Sequence, residues 1–123
     1  TALVYSRGSV PATTLGMLQK GFTTVTAASK TAYTAVPGDQ IGVDTVANIV
    51  TITLPAGVVG HEVVIMDVSN SNGFGTNKCV VAPNGSDDIQ GNNTSIDLTT
   101  NNQSVTLIYT GSNKGWQLKT NTA

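Results

Sequence analysis

Charge is scarce in this chain of 123 residues: Asp, Glu, Lys and Arg together make up 11% of it, and the formal net charge is −1. Binding a nucleic-acid backbone takes several cations on one face. The six Lys and Arg residues stand singly, so a general electrostatic role on nucleic acid is not expected. The lone cysteine, Cys79, excludes an intrachain disulfide framework. Set in the apolar run Lys78-Cys79-Val80-Val81-Ala82, it reads as a buried, inert thiol. His61 is the one histidine and Glu62 the one glutamate; as neighbours at a strand start they point to opposite faces and cannot easily form an acid–base pair. A zinc site needs three or four Cys, His or carboxylate ligands, more than one Cys and one His supply. No metal or cofactor is expected.

Long hydrophobic runs are missing too. Nothing approaches the roughly 18 apolar residues of a membrane-spanning helix. Thr1-Ala2-Leu3-Val4-Tyr5-Ser6-Arg7 lacks the basic stretch and apolar centre of a signal peptide. Thr1 is the small residue type left when an initiator methionine is removed, which leads one to expect a complete chain, made in a cytoplasm.

What the chain has in quantity is Thr, Asn, Ser, Gly and Val. β-Branched residues fit a pleated, half-buried surface, and Asn, Gly and Ser supply turns. Apolar residues recur in short blocks from Phe22 onward. Phe22–Thr26 and Thr31–Val36 alternate loosely, Pro37-Gly38-Asp39 makes a turn, and Gln40–Val43 follows. Asn48–Leu54 is a period-two run with Val50, Ile52 and Leu54 on one face and Thr51 and Thr53 on the other. His61–Val68 is apolar on both faces, as in a strand buried in a sandwich or a subunit interface. Cys79–Ala82, Asp87–Gln90, Thr94–Leu98, Val105–Tyr109 and Gly115–Leu118 complete the series. Strands at about ten-residue spacing with turns between them predict one all-β domain over residues 22–123. The expected form is an antiparallel β-sandwich, jelly-roll-like, with no internal repeat of fixed period.

Other chemistry is thin. Asp67, Asp87, Asp88 and Asp97 leave a carboxylate pair for glycoside cleavage open, whereas Asp87-Asp88 match no calcium-loop spacing and read as solvated turn residues. Gly73-Phe74-Gly75 lacks the strand-to-helix setting and the Lys-Ser/Thr pair of a phosphate loop. Of the aromatics, Trp116 reads as core or interface, whereas Phe74, between two glycines in a polar loop, is the better candidate for an exposed contact, with folding back onto its own domain an equal alternative. An enzyme is not expected.

Residues 1–21 differ from the rest. They carry Leu3, Val4, Tyr5, Val10, Leu15, Met17 and Leu18 without a period that would bury them on their own sheet, and Pro11, Gly16 and Gly21 interrupt any helix. They read as an extended arm that orders on a partner, with Leu3, Val4 and Tyr5 as apolar anchors and Arg7 as a polar contact. The double-faced run 61–68 nominates Val64 and Ile65 for an intersubunit interface.

The stretch from Tyr33 to Leu118 resembles a recurrent β-module of tailed-phage virion proteins. The pieces that carry the likeness stand in order: Ala32-Tyr33-Thr34-Ala35, Asp39 to Thr45, Val50 to Pro55, Gly60 to Asp67, Thr76-Asn77, Asn84-Gly85, Ile89-Gln90-Gly91, Ser104 to Tyr109 and Gly115-Trp116. Such modules belong to tail fibres, tailspikes, head fibres and capsid decoration proteins and are commonly homotrimeric. The resemblance implies a non-enzymatic virion-surface protein, a homotrimer attached to other virion proteins, foremost the major capsid protein. The alternative is a tail-fibre, collar or tailspike subunit that contacts host glycans. The short chain favours the capsid decoration or head-fibre form.

Overall fold

The structure, a computed structural model, describes residues 21–123. These form nine strands and no helix: β1 (Phe22–Thr26), β2 (Ala32–Thr34), β3 (Gln40–Asp44), β4 (Val50–Thr53), β5 (Glu62–Asp67), β6 (Cys79–Ala82), β7 (Ile96–Leu98), β8 (Ser104–Tyr109) and β9 (Trp116–Thr122). The arm residues Leu3, Val4, Tyr5 and Arg7 lie outside the described residues. All nine strands fall on runs where the sequence predicts them, and one further predicted run does not form. Asp87–Gln90 is not a strand: only Ile89 makes isolated bridges there, to Asn92 and Trp116.

The pairing differs from the expectation. The strands form a five-stranded sheet in the order β1-β3-β5-β8-β9 and a four-stranded sheet in the order β2-β4-β6-β7. Both are mixed, so an all-antiparallel sandwich is corrected here. Through β6, successive strands alternate between the sheets, and each strand lies parallel to the one two before it. The chain therefore winds in three turns, each giving one strand to each sheet, which is the path of a β-solenoid. β7, β8 and β9 then add antiparallel and close the far end. Parallel neighbours need a long crossover, and here the opposite sheet supplies it.

No fixed period is visible in the sequence because the turns differ in length. Phe22 lies opposite Gln40 and Gln40 opposite Val64, steps of 18 and 24 residues. In the other sheet Ala32 lies opposite Thr51 and Thr51 opposite Val80, steps of 19 and 29. The additional residues are absorbed in the connections at 54–61 and 68–78.

One core joins the sheets. Val25, Ile41, Val43, Val63, Ile65, Val105 and Leu107 from the larger sheet belong to the same buried cluster as Val50, Ile52, Cys79, Val81 and Leu98 from the smaller. Strict alternation in β4 and β6 sends Val50, Ile52, Cys79 and Val81 inward, and each fully buried Val, Leu or Ile contributes about 1.5–3 kcal/mol. Trp116 and Phe74 are the largest fully buried side chains. The Phe74 ring thus belongs to the core and not to an exposed contact. At Val36-Pro37-Gly38-Asp39 the predicted turn forms: the Asp39 amide donates to the Val36 carbonyl at 3.1 Å, with Gly38 at φ +88°, a value Pro37-Gly38 suits.

Candidate functional site

Strand alternation leaves a second face on the five-stranded sheet, turned away from the core. β5 shows it most clearly. Val63 and Ile65 are fully buried inside, whereas Glu62, Val64 and Met66 are half-buried on the other side. The two nominated interface residues are therefore separated: Val64 lies on the outer face, and Ile65 is enclosed by its own chain, with no surface left for a partner.

On the outer face Val64 and Met66 form a narrow apolar stripe along β5, between mostly polar neighbours. Gln40 and Thr106 flank Val64 in register, Gly42 and Ser104 flank Met66, and Ile108 lies opposite Glu62. The Phe22 ring rests on the bare backbone of β3 at Gly42, where an added Cβ would collide with it, and the Val68 side chain approaches the same point. Phe22 is 55% exposed and Val68 39%.

Val64 also borders an open cleft of about 510 Å³ lined by Pro37, Gly38, Gln40, Gly60, His61 and Glu62. Val36 is exposed next to Pro37, and Val58 and Val59 are exposed next to Gly60. The Glu62 carboxylate accepts from Lys119 Nζ at 3.0 Å, with both side chains well exposed. Such a pair contributes about 0–1 kcal/mol. His61 Nδ1 is buried with no partner among the described residues. The cleft thus has an apolar surround and a polar floor.

Asp39, Asp67 and Asp87 serve the backbone. Asp67 accepts from the Ser69 amide at 2.9 Å, the Asn102 amide at 3.0 Å and the Phe74 amide at 3.2 Å. Burial alone would raise the Asp67 carboxyl, but the Ser69 amide and hydroxyl together with the Asn102 and Phe74 amides outweigh it and hold it below the usual carboxylate range. Asp87 accepts from the Gly57 amide, and Asp97 pairs with Lys78 at 3.1 Å. Asp39, almost fully buried, accepts from the Val36 amide and the Tyr33 hydroxyl. Burial, and then Asp39, raise the Tyr33 hydroxyl above its ordinary value.

Among the described residues no three His, Cys, Asp or Glu side chains gather where they could hold a metal. Burial, reinforced by the negative charge of Asp67, pushes the Cys79 thiol up to about 12. It is almost wholly protonated at neutral pH and a poor nucleophile.

Sequence reasoning missed the linking roles of Asp67 and Asp39. Asp67-x-Ser69 has the spacing of a local Asx turn and could have flagged the first bond. Nothing local announces Asn102, 35 residues away. Comparison with protein-family models and with curated proteins finds no match.

Proposed function

We propose that this chain is a structural β-module of a virion surface, and that copies of it meet through the outer face of the five-stranded sheet. The observation that supports this is the apolar stripe of Phe22, Val64, Met66 and Val68, which no described strand covers. An apolar patch on a sheet face that already has one buried side marks an interaction surface.

The assembled form we propose is the homotrimer implied by the resemblance, a capsid decoration or head-fibre protein held to the major capsid protein. Its body is sandwich-like, with a parallel coil in place of jelly-roll hairpins. The arm at residues 1–21 makes the attachment, through Leu3, Val4, Tyr5 and Arg7. A tail subunit that contacts glycans is the less favoured reading, because Trp116 and Phe74, two aromatics that could have offered a sugar platform, are in the core.

The test is sedimentation of the full chain. Wild type is expected to associate at micromolar concentration with the mass of three chains or a multiple of three. Val64→Asp is expected to sediment as a folded monomer, since a half-exposed carboxylate is tolerated on a free surface but opposes burial between subunits. Its melting temperature should stay within about 5 °C of the wild-type monomer, equivalent to about 1 kcal/mol. A wild-type chain that stays monomeric, or a Val64→Asp chain that trimerises as well as wild type, would refute the reading. The virion assignment is checked separately, by antibody labelling of purified particles.

A further inference from the structure

Coiled β-structures must close both ends, because an end strand exposes a row of unpaired backbone N–H and C=O groups. Here the ends are unlike. At the far end the edge strands are blunted: β7 has three residues, and β9 carries Lys119 and pairs through a bulge at Thr106/Leu107. At the near end β2 also has three residues, with Lys30 over the neighbouring Tyr33 ring. β1 has none of these protections. It runs five residues, Phe22-Thr23-Thr24-Val25-Thr26, with no charge, proline or bulge, and no described strand lies beyond it.

We propose that β1 is an edge through which two copies of this chain pair, antiparallel, about a two-fold axis at Thr24. The strand is self-complementary in that arrangement. With Thr24 opposite Thr24, Val25 falls opposite Thr23 of the second copy and Phe22 opposite Thr26 of the second copy. Inward residues then meet inward residues and outward meet outward, so both cores keep their faces. Threonine pairs across strands are stabilising, and β1 brings no like charges together; the Phe22 ring stays on its own β3 at Gly42. A two-fold contact uses the same patch on both copies, which such a strand satisfies. The contact uses the edge of the sheet and not its outer face, so it stands independently of the virion reading and is compatible with a trimer built on that face.

The test is disulfide trapping in the full chain, with oxidised glutathione as the oxidant. In the proposed pairing the two Thr24 Cα atoms lie about 4.5–5.5 Å apart, within reach of a disulfide. The two Thr26 Cα atoms lie about 13 Å apart, beyond it. Cys79 is buried and protonated, so a link reports the introduced thiol. Thr24→Cys is expected to give a covalent dimer on the order of tenfold faster than Thr26→Cys, and wild type none. Equal rates for the two variants, or no link with Thr24→Cys, overturn the inference. No link is also the result if residues 1–20 of the same chain occupy this edge. A trimer in sedimentation with no link at position 24 would overturn this inference and leave the proposed function standing.

Discussion

Gly115→Ala is expected to destabilise the domain by about 3–5 kcal/mol, although it adds one methyl group. Gly115 holds φ at +68°, a conformation that costs an L-residue about 1–2 kcal/mol. A Cβ there would also collide with the Asp88 carbonyl oxygen and lie 2.6 Å from its carbon. Backbone cannot step aside as a flexible side chain can. The obstacle is moreover a hydrogen-bond partner, since the Trp116 amide donates to that carbonyl at 2.9 Å. Relieving the clash pulls the 84–93 loop away from β9 and disturbs Trp116, whose ring meets Tyr109 edge-on at 5.5 Å. In urea the midpoint should fall by about 2 M, taking a slope near 2 kcal/mol per M. A midpoint within 0.5 M or so of wild type would show that the loop moves freely and that this contact is dispensable.

Asp67→Ala should cost about 3–4 kcal/mol, for a different reason. Its carboxylate ties together three places in the chain: Ser69, the Phe74 loop and Asn102 ahead of β8. The tie extends further, because the Thr45 amide donates to the Ser69 hydroxyl at 2.9 Å. Truncation leaves the half-buried Ser69 and Phe74 amides and the exposed Asn102 amide without this acceptor. The same carboxylate makes stability depend on pH. Its folded pKa is lowered, so its contribution is fully present above the unfolded value of about 3.9 and is lost as pH falls through the lower folded value. Asp67→Asn should therefore be less stable than wild type at pH 7, with the gap narrowing as pH drops below about 4. A gap that stays constant from pH 7 to pH 2 would rule out the charge as the cause.

The strands were legible in the sequence because period-two alternation is written locally, as in Val50-Thr51-Ile52-Thr53. Their partners were not. A hairpin shows itself through its short turn, but parallel neighbours 18 to 29 residues apart leave no local mark, and unequal turns hide the repeat. Within β5, alternation says that Val64 and Ile65 face opposite ways without saying which way is in. Phe74 left two readings open, because flanking glycines suit an exposed tip as well as a loop folded back on its domain. Here Gly73 leaves room for the Asp67 carboxylate, and the ring turns inward.

The coil also orders events in time. β8 and β9 are joined by the short 110–115 connection, whereas every parallel pair must first close a loop of 18 residues or more. Closing long loops before any contact rewards them slows folding. The pairing quickest to form is therefore synthesised after the coil, and the three turns emerge before the strands that close them. β8–β9 substitutions should slow refolding and β1–β2 substitutions should mainly speed unfolding, a contrast measurable by stopped flow. Until β8 and β9 are made, the β5 edge of the coil has no strand to cover it.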